Sequence, residues 1–150
     1  MRLSHRALAT PLILLLALLF WSVDGQAQER PYEEGSVWDV SYVQTTDGHY
    51  NDYLRDLQAG WKKVNDAAME RGYIKSYKIL SGQPAHPGDW DLMLLIEYEN
   101  MAALDDAAEK YDPLIAEIFG NMSDADEATV VRSQLREILG GKLAREITLK

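Results

Sequence analysis

The stretch Tyr73 to Asn100, YIKSYKILSGQPAHPGDWDLMLLIEYEN, constrains the possible folds more than any other part of the chain. Its first arm, Tyr73 to Leu80, is rich in β-branched and aromatic residues and reads as a strand. The segment Ser81 to Gly88 holds two prolines and two glycines, which remove donors and permit turns, so it reads as a loop. The second arm, Trp90 to Tyr98, is the most apolar run after the N-terminal segment. Trp90, Leu92, Leu94, Ile96 and Tyr98 fall on one of its faces, and Asp91, Met93, Leu95 and Glu97 on the other. Both faces carry large apolar groups at the middle, so both require a cover.

The N-terminus carries an export address. Arg2, His5 and Arg6 precede a run from Ala7 to Val23 dominated by leucine and alanine, and Gly25-Gln-Ala27 supplies small residues for cleavage. A signal peptide over residues 1–27 is expected, with a flexible lead-in over 28–35. An uncleaved anchor is the alternative, but the run is short for a bilayer and contains Pro11. Cleavage after Ala27 leaves 123 residues, enough for one domain, with a net charge of −10. That acidity argues against nucleic acid and against anionic membrane surfaces. The chain has no cysteine, so an exported, disulfide-free domain must rely on its core, and the periplasm or secreted fluid of a bacterium suits it.

Along the remainder, Ser36 to Gln44 reads as the first strand. Trp38, Val40 and Tyr42 point one way, and Val37, Asp39, Ser41 and Val43 the other. Thr45 to Gly48 reads as a turn, with Asp47 placed to cap the next helix. Asn51 to Arg71 has apolar residues at helical spacing, including Tyr53, Leu57, Trp61, Val64 and Ala68, and Gly72 stands at its end. After the hairpin, Asn100 caps a helix from Met101 to about Tyr111. Pro113 is expected to break it, leaving a short helix over Leu114 to Phe119. Ser123 to Asp126 resembles a capping box opening a third helix, Asp124 to Leu139, which Gly140-Gly141 would stop before a strand over Leu143 to Leu149. The order β-α-β-β-α(α)-β is the ferredoxin-like split βαβ arrangement, an α+β fold with four antiparallel strands and helices on one face. A second copy of the chain is the simplest cover for the other face.

This strand order, with GSVWDVSYV before a capped helix, the hairpin SYKILSGQPAHPGDWDLMLLIEY and the closing GGKLAREITLK, resembles the dimeric α/β-barrel superfamily. The resemblance covers about residues 36–150 and is narrowest to uncharacterised exported bacterial members. Relatives include antibiotic-biosynthesis monooxygenases, EthD-like proteins, muconolactone isomerase-like enzymes, and haem-binding dye peroxidases and chlorite dismutases. Fold is shared among them and chemistry is not. The chain shows no catalytic motif of any one branch, so the resemblance assigns no residue roles.

The residues themselves offer several candidate sites. Trp38, Tyr42, Tyr50, Tyr53, Trp61, Tyr77 and Trp90 would line a pocket for a flat organic molecule if they share a sheet face and its covering helix; filling the core is the plainer reading. His49, at a helix start that favours a neutral ring, is a candidate general base. Asp39 and Asp91 lie in strands that otherwise read as buried, where a carboxyl pKa rises. A salt link from Lys75, Lys78 or Arg145 is the simpler expectation for both. His86 lies in the hairpin loop between Pro84 and Pro87, where a surface role is the simpler one. Two well-separated histidines give no metal or cofactor pattern, so no metal site and no cofactor are expected. Three functions follow in order: an exported homodimer holding a small apolar or aromatic molecule; a cofactor-independent monooxygenase- or isomerase-like enzyme using His49, Asp39 or a buried tyrosine; and haem binding through His49 or His86.

Overall fold

The computed structural model describes residues 29–150; the expected signal peptide lies outside the described residues. Four strands form one antiparallel sheet: β1 (Tyr32–Thr45), β2 (Ser76–Ser81), β3 (Leu92–Tyr98) and β4 (Arg136–Leu149), in the spatial order β2-β3-β1-β4. Helices α1 (Tyr50–Ala59) and α2 (Trp61–Glu70) connect β1 to β2. A 3-10 turn (Met101–Leu104), α3 (Ala107–Phe119) and α4 (Met122–Ser133) connect β3 to β4. This is the ferredoxin-like fold, with an extra helix before the last strand.

The central hairpin forms as its sequence requires. Ser76 pairs with Glu97 and Ser81 with Leu92, while the other edge of β3 pairs with β1 from Val37–Tyr98 to Val43–Leu92. The register carries Val37, Asp39, Ser41 and Val43 to the same face as Leu92, Leu94, Ile96 and Tyr98. The helices cover that face. One cluster joins Val37, Ala68, Ile74, Tyr98 and Leu114, and a second joins Val43, Tyr53, Leu57, Leu92 and Leu94.

Several expectations are corrected. The strand β1 begins at Tyr32, so Tyr32 to Gly35 are not a free lead-in: Tyr32, Glu33 and Glu34 pair with Leu149, Thr148 and Ile147. The long helix is two, separated at Gly60. A Cβ there would stand 2.9 Å from the Phe119 ring, so a side chain would fit only if that ring shifted where α3 approaches. Asp47 does not cap α1; His49 occupies the N-cap without a side-chain bond. Pro113 lies inside α3, and the chain breaks earlier, at Asp106, which has φ +57°. Asn100 caps as expected, accepting from the Ala103 amide at 3.2 Å. The cap of α4 is Asn121 and not Ser123: its side chain accepts from the Asp124 amide at 3.0 Å.

The largest correction concerns the C-terminus. The helix α4 ends at Ser133, and Arg136 to Leu139 belong to β4. Arg136, Glu137 and Ile138 pair with Thr45, Gln44 and Val43. Gly140-Gly141 therefore stops no helix. The pair lies within the strand, where an irregularity leaves Leu139 without a partner opposite, and a Cβ on Gly141 would stand 3.1 Å from the Val40 carbonyl oxygen.

Gly72 has φ +71° and its amide donates to the Met69 carbonyl, ending α2 as its sequence position suggested. A side chain there would meet nothing within 4 Å, so substitution probes backbone strain alone. Gly72→Val is expected to lose at least about 1–2 kcal/mol, and Gly72→Asn clearly less, since asparagine tolerates this region. Paired thermal melts measure both; equal melting temperatures for glycine and valine would contradict the assignment.

Candidate functional site

The most ligand-like feature lies on the helix-covered side, where α1 and α2 cross the edge strand β2. Leu54, Leu57, Trp61, Tyr77 and Ile79 wall a cleft of about 300 Å³, with Gln58 and Lys62 as its polar members. The helix period brings Leu54, Leu57 and Trp61 to one side, and strand alternation turns Tyr77 and Ile79 toward them. The Trp61 and Tyr77 rings meet edge to face, with centroids 5.1 Å apart, an arrangement that suits aromatic quadrupoles. The Tyr77 hydroxyl donates to Asp66, and Lys62 Nζ reaches the other Asp66 oxygen at 2.5 Å. Those hydrogen bonds from Lys62 and Tyr77 hold the Asp66 carboxyl below its usual pKa, while burial and Asp66 push the Tyr77 phenol up. Tyr77 is thus a neutral wall with its polar end tied down. A smaller apolar cleft of about 170 Å³ lies on the far side of Trp61, against Phe119 and Ile115.

The sheet separates the seven aromatic residues. Tyr50, Tyr53, Trp61 and Tyr77 stand on the helix side. Trp38 and Tyr42 stand on the opposite face, where the Trp90 ring lies 6.5 Å from that of Tyr42. They therefore cannot line a single pocket within one chain. Tyr53 is core, 1% exposed, and the Tyr50 hydroxyl is hydrogen-bonded to Ser81 Oγ at 2.8 Å.

Among the described residues, no helix covers the opposite sheet face. Trp38, Val40 and Tyr42 of β1 stand beside Leu95 and Met93 of β3, with Leu80 of β2 next in the row. Lys78 lies 4.4 Å from the Trp38 ring centroid in a cation–π contact. Glu97 stands at one end, its carboxyl held low by the Ser76 hydroxyl, which donates to it at 2.6 Å.

The expected proton-handling residues are spread out. His49 is exposed and its Nδ1 lies 3.1 Å from Asp52. His86 is exposed, with Nδ1 3.0 Å from the Pro87 carbonyl oxygen. Asp91 is structural: it accepts from the Thr45 amide at 3.0 Å and from the Thr45 hydroxyl, fastening the end of β1 to the start of β3. Asp39 lies on the helix side across from Ile96, and burial raises its pKa. The salt links expected for these two carboxylates do not form. Lys75 stands 3.6 Å from Glu97 and 3.5 Å from Glu99, Arg145 stands 3.5 Å from Glu34, and Lys78 covers Trp38. Near Asp39 is the Tyr98 phenol, itself beside that of Tyr111, and both are pushed up, chiefly by burial. Among the described residues, no group of three or more histidine or acidic side chains is arranged to hold a metal, and no helix is long and apolar enough to cross a membrane.

Because the folded pKa of Asp39 is raised, its ionised form opposes folding. That cost is absent below the unfolded value, near 3.8, and grows as pH rises toward the folded value. Asp39→Asn is therefore expected to raise the melting temperature at neutral pH and to leave it unchanged near pH 3. Melts across that range test the sign; a variant less stable than wild type at neutral pH would show that the carboxylate is favourably held.

No family model matches the chain, and no curated protein does. Solved structures of similar shape are known. One is described as a dimeric protein of unknown function with a ferredoxin-like fold from Bacteroides fragilis, 12% identical, covering 77% of this chain and 97% of that one, TM-score 0.38. Another is a dimeric ferredoxin-like protein of unknown function from Thermobifida fusca, 11% identical, covering 77% and 93%, TM-score 0.42. A third, a dimeric ferredoxin-like protein from an uncultured marine organism, is 10% identical, covers 79% and 90%, and has a TM-score of 0.45. At this distance they assign no activity to this chain.

Proposed function

We propose that the protein is an exported homodimer in which each protomer holds a small apolar or aromatic molecule in the cleft where α1 and α2 cross β2. The observation that carries the ligand is the lining of that cleft: apolar walls, one edge-to-face aromatic pair, and polar groups limited to Gln58 and Lys62. Such sites gain affinity from apolar burial and orientation from a few polar groups. A cleft of this volume is at the small end for ligand sites and fits a molecule of one or two rings. The dimer is supported by the uncovered apolar sheet face, and export by the basic start, apolar run and small residues of the N-terminal segment.

Native mass spectrometry of the secreted protein tests all three parts. The expected species begins at Gln28, has twice the chain mass, and carries a small-molecule adduct. Ile79→Trp, at a partly exposed wall position, is expected to remove the adduct and keep the dimer. Preparations without an adduct would overturn the ligand. The enzymatic alternative ranks lower because neither cleft beside Trp61 is lined by His49 or Asp39, and the haem alternative because neither is lined by His49 or His86.

A further inference from the structure

A different cleft, of about 460 Å³, opens where the end of β1 and the turn before α1 meet the junction of α4 and β4. It is polar, and its groups are sorted by charge. Arg136, the first residue of β4, is half-buried; its Nε is fully buried and meets no protein acceptor, and its guanidinium lies beside the Tyr53 hydroxyl. The nearby Arg132 is already committed to Asp56, at 2.5 Å. Asp47 and Glu137 are exposed at the rim.

The threonine and serine hydroxyls of the cleft have spent their protons on the protein. Thr45 donates to Asp91, Thr46 to the Gln134 carbonyl at 3.1 Å, and Ser133 to the Val130 carbonyl at 2.6 Å. Their oxygens can still accept. The C-terminal end of α4, at Ser133, adds the negative end of a helix dipole. The cleft thus offers one inner guanidinium and otherwise an excess of acceptors and negative charge. A simple anion would meet repulsion at the rim, and a simple cation would meet Arg136.

We infer that this cleft is a second binding site, for a small zwitterion of the amino-acid type. The ligand carboxylate would take the Arg136 guanidinium, which is shaped for such a group, and the ammonium would face Asp47, Glu137 and the hydroxyl oxygens. This inference does not depend on the apolar cleft.

Calorimetric titration of the full-length secreted protein tests it, using glycine, β-alanine, γ-aminobutyrate and lysine beside butyrate and butylamine as half-ligands. At least one amino acid is expected to bind saturably, with each half-ligand weaker by about tenfold or more, the loss of one charge-assisted contact. Glu137→Gln, at an exposed position, is expected to weaken the amino acid several-fold and to tighten butyrate, which then no longer meets that rim charge. Arg136→Gln is expected to abolish binding of both, and Ile79→Trp to alter neither. Butyrate binding as tightly as the amino acids, or no saturable binding of any probe in the millimolar range, overturns the proposal.

Discussion

Leu95→Asp is expected to split the proposed dimer into monomers, or to drive the protein into aggregates, while leaving the protomer folded. Leu95 stands at the middle of the uncovered sheet face, opposite Val40 on one side and Lys78 on the other. Its neighbours Trp38, Tyr42, Met93 and Leu80 make the patch contiguous, and soluble monomers rarely expose such a patch. Leu80 is 46% exposed, and Trp38, Tyr42, Met93 and Leu95 are half-buried. Leaving the face in water therefore forfeits part of the roughly 1.5–3 kcal/mol that full burial of each large side chain is worth. The face is about 19 Å across four strands and at least about 24 Å long at standard spacings. That is a flat footprint of at least about 450 Å², over half of the roughly 800 Å² a standard interface buries per partner. A two-fold pairing lets the same surface serve both copies. An aspartate at its centre would have to be desolvated twice, once per protomer, with no cation assured opposite. Sedimentation at micromolar concentration decides the matter. A wild-type monomer, or a Leu95→Asp variant that still sediments as a dimer of normal affinity, would move the interface elsewhere.

Leu114→Ala is expected to destabilise the protomer by about 2–5 kcal/mol, enough to lower the melting temperature by roughly 10 °C or more in a domain of this size. Leu114 is the residue by which α3 joins the core, wholly buried among Val37, Ala68, Ile74 and Tyr98. Truncation leaves a cavity walled by two strands and two helices, which cannot collapse without shifting the sheet. The position immediately follows Pro113, whose ring already removes one helical hydrogen bond. Leu114 is the fully buried member of the α3 contact, beside the partly buried Tyr111 and Ile118. Urea titration measures the loss; a value below about 1 kcal/mol, closer to that of a surface change, would show that α3 packs more loosely.

Short-range periodicity was enough to define much of the fold. The alternation of Leu92, Leu94, Ile96 and Tyr98 against Met93 and Leu95 defined a strand with two apolar faces, because side-chain direction in a strand is fixed residue by residue. The two prolines and two glycines after Leu80 defined the hairpin loop, and Gly72 marked the end of a helix through its backbone freedom. From these came the antiparallel order, the one-sided helices and the sheet face in need of a cover.

Local pattern gave no guide where long-range pairing overrides it. Arg136 to Leu139 read locally as the end of a helix. Hydrogen bonding to Thr45, Gln44 and Val43 makes them a strand, and that pairing carries Arg136 into the polar cleft. Tyr32 to Gly35 look like a loose lead-in until the C-terminal half of β4 lies beside them. The seven aromatic residues look like one set in the sequence, yet the sheet divides them, so that Trp61 and Tyr77 wall a cleft while Trp38 and Tyr42 stand on the opposite face. The salt links expected for Asp39 and Asp91 fail for the same reason: Lys75, Lys78 and Arg145 are drawn to Glu97, Trp38 and Glu34 by a register that no single segment contains. A site is a meeting of side chains distant in sequence, and the energy that brings them together belongs to the sheet register and the packed core, not to any segment alone.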